Sequence, residues 1–492
     1  MELTTFLAAA FVFLILFMWF RRSDPRLPPS PMRPLPIVGH LFHMARDPRP
    51  QFNSFRKQCG DIYSLYLGDA LVVVLNGYDL IKEALVKNAD VFSDRPVFFM
   101  DLATGIPFKG VSFSNGHAWK EQRTVSLSIL RSFGMGKNLL AERIQEEAGY
   151  LVNELASYKG KPVDTRVITN ISTSNVICSI LIGHRFDHED KDFQDLMYKI
   201  GCLFADQQNV SMVNFLPWLR HVPGDFFQAK RITSTVQAIL SMLKKFIELK
   251  RRHLEDSSDV CNLIDAYTIE MNKRKQSGVP TVLDDESLIK IMFELFLAGT
   301  ETTSTTIYWC LLYMLHNPDV QVKVFNEIKE KVGTNRTPSI QDKTQLPYLN
   351  AVITETQRLS SIVPLGVTHR CTEEVTLRGY TIPKGAYIIP TLDSVLLDKA
   401  TWGEDVMSFR PDRFIDQTGK LNVPEEFIPF GTGRRVCLGE AIAKMELFLF
   451  LATMFQKFEF LPATPGRLPS LDYECGLVTA PKPYDIRIVE RK

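Results

Sequence analysis

An uncharged, largely apolar stretch stands near the amino terminus. It runs from Leu3 to Phe20, and Arg21 and Arg22 follow it directly. At about 1.5 Å of rise per residue, such a helix is just long enough to cross the hydrocarbon core of a bilayer. Because the positive charges follow the apolar run, the pattern favours an uncleaved membrane anchor over residues 1–22, with the rest of the chain in the cytosol. A cleavable signal peptide is the alternative.

Prolines dominate the segment that follows, residues 23–40, and predict a stiff, extended strap. Beyond the strap, the stretch "DIYSLYLGDALVVVLNG" predicts a β-hairpin that turns at Gly68-Asp69. Residues 78–347 carry mostly helical periodicity, and a β-rich patch around "VTLRGYTIPKGAYIIP" precedes a last long helix. The predicted fold class is mainly α with small β-sheets. We expect residues 41–492 to form one catalytic domain.

One predicted helix, residues 287–318, is apolar on most sides and should therefore be buried across the body of the protein. Its middle is polar, because Gly299 is followed by a run of Thr, Glu and Ser residues up to Thr306. Polar groups inside a buried helix cost free energy unless they are satisfied. Threonine hydroxyls can bond back to the preceding turn and distort it, and such breaks often lie at functional sites.

A second candidate for membrane contact is the segment 213–227, "VNFLPWLRHVPGDFF". Apolar and aromatic residues beside an arginine suit a membrane interface. The residues expected to be exposed there are Phe215, Leu216, Trp218, Leu219, Phe226 and Phe227. The alternative is that the segment packs onto the body or lines an access route.

Charge and cysteine content exclude several classes of protein. The chain has 57 Lys and Arg residues against 56 Asp and Glu residues, so no basic field favours nucleic acid. Its eight cysteines are widely scattered and form no CxxC pair. Neither a zinc module nor a disulfide framework is therefore indicated.

The stretch "PFGTGRRVCLGE", Pro429 to Glu440, surrounds one thiol with glycines and arginines. A glycine-rich bend can aim backbone N–H groups at the sulfur and let a flat partner come close. Arg435 could then pair with an anion on that partner. The pattern indicates a thiolate at Cys437 beneath a large anionic cofactor. Taken alone, Cys437 could equally be a buried structural cysteine or a nucleophile working with His369.

The chain resembles the cytochrome P450 family, the heme-thiolate monooxygenases, and is most similar to its microsomal family 2 group. The cysteine-loop pattern Phe-x-x-Gly-x-Arg-x-Cys-x-Gly is met from Phe430 to Gly439. The remaining motifs occur in the family's order: Trp119 with Arg123, Ala298 to Thr303 as Ala-Gly-x-Glu-Thr-Thr, Glu355 with Arg358, and Arg413 in "FRPDRF". Each motif is weak to moderate alone, whereas the ordered set is very specific.

The resemblance implies heme b as the cofactor and Cys437 as its axial thiolate ligand. Its implied cofactor-binding residues are Arg95, Trp119, Arg123, His369, Phe430, Arg435 and Cys437. Glu301 and Thr302 are implied as catalytic residues that deliver protons to the distal oxygen. Glu355, Arg358 and Arg413 are implied as a structural network. By resemblance of their segments, the substrate pocket includes Phe113, Ala298, Val363, Val367 and Leu477.

The resemblance further implies a single-pass enzyme of the endoplasmic reticulum membrane that faces the cytosol. No flavin or nicotinamide fingerprint is present, so the electrons should come from an NADPH-cytochrome P450 reductase, with cytochrome b5 as a second candidate donor. Basic residues near the heme-side motifs are candidates for the partner surface: Lys120, Arg131, Lys137 and Lys444. The apolar pocket favours a lipophilic substrate, by hydroxylation or epoxidation. Fatty acids, terpenoid hormones, steroids and foreign compounds all fit.

Two alternatives use the same fold. The protein could be an isomerase or dehydratase of a pre-oxidised lipid, which would need neither Glu301 nor Thr302. It could also be a non-catalytic heme-binding or sensor protein.

Overall fold

Helices make up most of the protein, and short strands form small sheets beside them, as the sequence predicts. The computed structural model describes residues 4–7, 9–13, 24–135, 138–256, 260 and 262–491. The helices of this part are α1 Arg49–Cys59, α2 Tyr78–Lys82, α3 Phe99–Ala103, α4 Gly116–Ser132, α5 Asn138–Ser157, α6 Arg166–Leu181, α7 Lys191–Phe215, α8 Ala229–Asp256, α9 Leu263–Gln276, α10 Asp285–His316, α11 Pro318–Lys331, α12 Pro347–Ser360, α13 Asp393–Leu396, α14 Lys399–Trp402 and α15 Glu440–Lys457. Single 3₁₀ or π turns lie at Leu41–His43, Glu83–Lys87, Pro217–His221, Ile340–Gln345 and Pro411–Phe414.

The strands are β1 Ile62–Leu67, β2 Ala70–Leu75, β3 Pro162–Val163, β4 His369–Arg370, β5 Val375–Leu377, β6 Tyr380–Ile382, β7 Tyr387–Pro390, β8 Phe458–Pro462, β9 Tyr473–Cys475, β10 Thr479–Pro481 and β11 Ile486–Glu490. The largest sheet has the order β1-β2-β7-β4, and a second has the order β3-β11-β8. Two hairpins, β5-β6 and β9-β10, complete the set among the described residues.

The predicted hairpin is confirmed as β1 and β2, which pair antiparallel from Ile62 opposite Leu75 to the turn after Leu67. Strand β7 adds in parallel to β2, and β4 adds antiparallel to β7, with His369 opposite Ile388. This register fixes His369 at the edge of the site described below, although it lies almost 300 residues from the hairpin in sequence.

Helix α10 is the predicted long helix and passes through the centre of the body. The Asp284 side chain caps its first turn, accepting a hydrogen bond from the Ser287 N–H at 2.7 Å. It ends at His316, ahead of Pro318, which cannot continue a helix. Most of its side chains are buried, and each fully buried Leu, Ile or Phe contributes about 1.5–3 kcal/mol. Burial of this helix, rather than its intrinsic propensity, therefore holds it in place.

The predicted anchor over residues 1–22 lies largely outside the described residues. Residues 4–7 and 9–13 are helical and exposed. Within the described part, no helix combines the length and the apolar character that crossing a bilayer requires.

Candidate active site

The cysteine loop is a tight bend that ends at α15. Gly433 has a φ of 79°, in the left-handed region that favours glycine, and a Cβ there would overlap the carbonyl oxygen of Leu85. The backbone N–H of Cys437 donates to the Phe430 carbonyl at 3.0 Å and closes the loop. Glycine therefore allows this loop to lie directly against the segment that carries Leu85.

The Cys437 side chain lies deep inside the protein, but it is open to an internal cavity. Burial raises the pKa of its thiol. The N–H groups of Gly439 and Glu440, at the start of α15, and the guanidinium of Arg123 act in the opposite direction, because they stabilise a thiolate. The sulfur thus faces the cavity and has groups beside it that stabilise its thiolate form.

The cavity has a volume of about 350 Å³ and lies between α10, α15, the cysteine loop and the segment leading into β4. Its lining is mostly apolar. The apolar side chains include Leu130, Ile177, Leu295, Ala298, Ile362, Val363, Val367, Leu438 and Ile442. The polar lining separates into a basic group and a set of hydroxyl and carboxyl groups on α10 and α15.

The basic group consists of Arg95, Arg123, His369 and Arg435. Burial lowers the pKa of each of them, and the pKa of Arg435 falls to about 9. Neighbouring arginines lower the pKa values of Arg95 and Arg435 further. No ion pair joins these three arginines to a carboxylate within the described residues. The carboxyl groups of Asp94 and Glu294 act on Arg435 from a distance, in the direction that raises its pKa. Buried positive charge that lacks an ion-pair partner is costly unless an anion binds there.

Two hydrogen-bond donors in and beside this group have no acceptor among the described residues. They are Nε of Arg95 and the indole Nε1 of Trp119, and both are buried. The guanidinium of Arg435 lies 4.0 Å from the centre of the Trp119 ring, and its nitrogens donate to the Ser93 and Ser114 carbonyls at 2.7 Å. The group is therefore rigidly held, but its hydrogen-bond donors are incompletely paired, as expected of a site for an anionic ligand.

Helix α10 presents one face to the cavity, with Ala298, Thr302 and Thr306 spaced four residues apart. The Thr302 hydroxyl donates to the Ala298 carbonyl at 2.8 Å, and the Thr306 hydroxyl donates to the Thr302 carbonyl at 2.9 Å. The helix continues through this polar run, because its hydroxyl groups bond back to the preceding turn. A Cβ on Gly299 would lie 2.5 Å from Cδ1 of Ile177, so this glycine lets α6 pack closely.

Glu301 points to the other side of α10 and is not among the residues that line the cavity. Its Oε2 accepts a hydrogen bond from Nδ2 of Asn170 on α6, at 3.1 Å. Burial raises the pKa of Glu301 despite this bond. The structure therefore brings Thr302 to the cavity and places the neighbouring carboxyl between two helices.

Glu355, Arg358 and Arg413 meet in one buried network. The Glu355 carboxylate accepts bonds from Arg358 at 2.7 and 2.9 Å and from Arg413 at 3.0 Å. Arg358 also donates to the Leu396 and Val406 carbonyls, at 2.9 and 2.8 Å. The network connects α12 with α13 and with the residues between α13 and the cysteine loop.

The predicted pocket residues divide into two sets. Ala298, Val363 and Val367 line the cavity, whereas Phe113 and Leu477 are not among its lining residues. Phe113 packs edge to face on Phe98, and Leu477 is 47% exposed.

A sequence model of the family "Cytochrome P450" matches residues 28–488 of the chain. The chain belongs to the cytochrome P450 family. It is 39% identical to human cytochrome P450 2U1 over 515 residues, which covers 99% of this chain and 93% of that protein. It is also 39% identical to rabbit cytochrome P450 2B4 over 502 residues, covering the whole of both chains, and 36% identical to rabbit cytochrome P450 2G1, covering 99% of both.

Membership shows that this protein is a cytochrome P450 monooxygenase, a class that binds heme through a cysteine thiolate. The residues of the cavity fit such a group. Heme carries two propionates, and the arginine cluster with its unpartnered Arg95 and Trp119 donors lacks the anion that these would supply. Membership in the family supports neither of the two alternatives on the same fold, which are an isomerase or dehydratase and a non-catalytic heme protein.

Sequence analysis of this cytochrome P450 missed two carboxyl groups that line the cavity, Glu294 on α10 and Glu446 on α15. Burial raises the pKa of Glu294 to about 7 and that of Glu446 to about 8. Both residues interrupt apolar runs, "MFELFLAG" and "KMELFLFL". The available signal was an isolated acidic residue inside an apolar run, because a Glu side chain is almost never fully buried unless it is paired.

Proposed function

We propose that this cytochrome P450 is a membrane-attached monooxygenase of lipophilic small molecules that receives its electrons from an NADPH-cytochrome P450 reductase. The observation that carries the proposal is the cavity. Apolar side chains dominate its walls. The polar groups are the basic cluster, the thiol, hydroxyl and carboxyl groups on α10 and α15, and the side chains of Ser112, Gln357 and Thr432. Such a lining binds an apolar ligand by excluding water and leaves few groups to fix a charged one.

Cys437 is proposed as the axial ligand, and the propionates are assigned to Arg95, Trp119, Arg123, His369 and Arg435. Phe430 belongs to the cofactor site, because its carbonyl holds the Cys437 backbone. When bound, heme supplies the activation of O2 and the transfer of one oxygen atom to a C–H bond or an alkene. The protein positions the substrate, excludes water and delivers protons.

Thr302 is proposed to hold a water on the oxygen-binding side. Its hydroxyl hydrogen is directed to the Ala298 carbonyl, so the hydroxyl oxygen can accept a hydrogen bond from a water in the cavity. Glu301 is proposed as the outer acid of the same path. Its buried carboxyl is one residue away, on the side of α10 that faces α6.

Thr302→Ala is expected to uncouple electron use from product formation. Losing one positioned proton donor costs about 10²–10⁴-fold in the assisted step, whereas heme binding and reduction need no distal proton. Reconstituted with reductase, this variant should still consume NADPH but form less product and more hydrogen peroxide. Thr305→Ala, on the same helix but outside the cavity lining, is the control. Equal peroxide yields from both variants would show that Thr302 contributes only to packing.

Membrane attachment is supported by two neighbouring apolar sets. Ile37 and Phe42 are exposed in and beside the strap, and Trp218 and Phe226 are 57% and 76% exposed in the segment 213–227. The N–H of Gly68 donates to the Val38 carbonyl, and Gly68 also abuts the Phe215 carbonyl. Both sets therefore lie close to the turn between β1 and β2.

Part of the segment 213–227 departs from the sequence expectation. Leu216 and Leu219 are buried, and Phe215 and Phe227 pack partly against the core. The end of α7 and the 3₁₀ turn at Pro217–His221 divide the apolar residues between the inside and the outside. The large apolar side chains of this segment that remain exposed are Trp218 and Phe226.

Removal of residues 1–22 is expected to release the protein from liposomes only partly. Trp218→Ser with Phe226→Ser in the truncated form should then release most of the remainder, since the exposed aromatic rings favour the interface. The measurement is cosedimentation with liposomes at low salt, with Met407→Ser, another exposed apolar residue, as the control. Complete release by truncation alone would mean that the second contact does not exist.

A basic surface supports an acidic electron donor. Lys120, Arg131 and Lys444 are exposed on α4 and α15, the helices that carry Trp119 and Arg123 and that follow Cys437. Lys137, the fourth predicted residue, lies outside the described residues. Complementary charge steers association between proteins, which suits a reductase and also cytochrome b5.

A further inference from the structure

The cavity ends at Glu294 along the length of α10. The residues of α10 that line it run from Glu294 to Thr306, and none of the described residues nearer the start of this helix is among them. Lys290 lies one turn earlier, about 6 Å along the helix axis. The end of the cavity is therefore set by the part of the chain that covers α10 at Glu294 and Lys290.

Residues 99–112, which we call the wall segment, cover α10 at this end. The segment consists of the five-residue helix α3 and a loop, and it contributes Val111 and Ser112 to the cavity lining. Oε2 of Glu294 accepts hydrogen bonds from the N–H groups of Val111 and Ser112, at 2.7 and 3.0 Å. A Cβ on Gly110 would lie 2.5 Å from the same oxygen, so the loop lies directly against the helix. Because one short helix and a loop have little stability of their own, contacts with other elements must fix their position.

A buried ion pair joins the wall segment to α10. Nζ of Lys290 lies 2.6 Å from Oδ1 of Asp101, and the two side chains are 1% and 0% exposed. Nζ of Lys290 also donates to the Thr104 hydroxyl oxygen at 3.1 Å. The other carboxylate oxygen of Asp101 accepts a hydrogen bond from the Phe108 N–H at 3.1 Å, so the pair holds both α3 and the loop that follows it.

Neutral hydrogen bonds join α3 to two other helices. Asn214 of α7 accepts a bond from the Phe99 N–H at 2.7 Å, and Gln237 of α8 donates to the Ala103 carbonyl at 2.8 Å. An ion pair acts differently, because the cost of removing both charges from water offsets most of their attraction. Separating the two charges inside the protein is far more costly still, since each would then be buried alone. The ion pair therefore selects one position of the wall segment more sharply than the neutral bonds do.

We propose that Lys290 and Asp101 determine substrate specificity, because their ion pair fixes the wall segment and so limits how far a substrate extends along α10 past Glu294. This role rests on the proposed binding of lipophilic molecules in the cavity. Neither residue lines the cavity, so both are positioning residues that act through the wall segment. With the pair intact, a straight-chain substrate that is too long meets Val111 and Ser112. Without the pair, the wall segment moves, and longer molecules fit in more than one position.

The test uses a homologous series of straight-chain alkylbenzenes, which carry no charge for Lys290 or Asp101 to attract. Binding to the heme-loaded, full-length wild type, Lys290→Met and Asp101→Asn is measured by the substrate-induced shift of the heme spectrum. A hydrophobic pocket discriminates by about 10–200-fold for one methylene, so the wild type should lose affinity sharply beyond one chain length. In both variants, the longer members should gain at least about tenfold in affinity relative to the shorter ones. Their products, formed with reductase, should be oxygenated at more positions.

Asp285→Asn is the matched control, since Asp285 pairs with Arg251 of α8, at 2.5 Å, and not with the wall segment. It should keep the selectivity of the wild type. The same selectivity in Lys290→Met and Asp101→Asn overturns the proposal, even where the midpoint of unfolding falls, because a merely structural role changes only stability.

If the single variants do not retain heme, Lys290→Met combined with Asp101→Leu decides, because this pair of changes leaves no unpaired charge buried. Relaxed selectivity then supports the proposal, and wild-type selectivity overturns it. A wild type that binds long and short members alike also overturns it. If no member of the series binds the wild type, the proposed lipophilic substrate class is itself wrong, and the role of the ion pair falls with it.

Discussion

Serine in place of Cys437 is expected to reduce oxygenation to background while leaving most of the fold. The loop is held by the backbone bond from residue 437 to Phe430 and by the close approach of Gly433 to Leu85, and neither needs the sulfur. Thiolate ligation pushes electron density toward the iron and favours O–O cleavage, and a hydroxyl does this poorly. The ferrous–CO complex should therefore lose the red-shifted band that is typical of thiolate ligation, and product formation should stop.

Cys371→Ser is the matched control. Cys371 is also buried and unpaired, but its thiol donates to the Glu373 carbonyl at 2.9 Å and belongs to a separate part of the core. This variant should keep the band and the activity. If Cys437→Ser retained the red-shifted band, the ligand would have to be another cysteine.

Glu355→Ala is expected to lower the free energy of unfolding by about 3–5 kcal/mol, because it leaves the fully buried Arg358 without its counter-charge. That is a large part of the 5–15 kcal/mol by which proteins are usually stable. It should also release Arg413, whose other bonds hold Trp402 and residues up to Ser408. The midpoint of urea unfolding should fall, and little heme should remain bound.

Two variants separate this charge effect from loss of contacts. Glu355→Gln keeps part of the hydrogen bonding and should fall between the wild type and Glu355→Ala. Glu425→Ala breaks the pair of Glu425 with Lys82, 3.0 Å apart at the surface, and should leave the midpoint unchanged. A midpoint for Glu355→Ala equal to that of Glu425→Ala would show that the network contributes nothing.

Sequence analysis succeeded where a local signal decides the structure. The bounds of α10 follow from the Asp284 cap and Pro318, and the first hairpin follows from the turn signal at Gly68-Asp69. The cysteine loop was found because its glycines and arginines have no other use in an ordinary turn. The meeting of Glu355, Arg358 and Arg413 came from the family resemblance, since no local pattern brings together residues 58 positions apart.

Helical geometry could have shown in advance that Glu301 and Thr302 point in different directions. Consecutive residues of an α-helix point about 100° apart, so Thr302 can line the cavity while Glu301 faces α6. The face that lines the cavity repeats every three to four residues, through Glu294, Ala298, Thr302 and Thr306. Phe113, Leu477 and Glu446 could not be placed in this way, because their positions depend on how loops and distant helices pack.

The proposed function depends most on Cys437 as the iron ligand, and X-ray absorption at the iron edge tests this directly. In the heme-loaded wild type and in Cys371→Ser, the first coordination shell should contain one sulfur atom. In Cys437→Ser, that sulfur should be absent and replaced by a lighter atom. A sulfur atom that persists in the iron shell of Cys437→Ser would contradict the account.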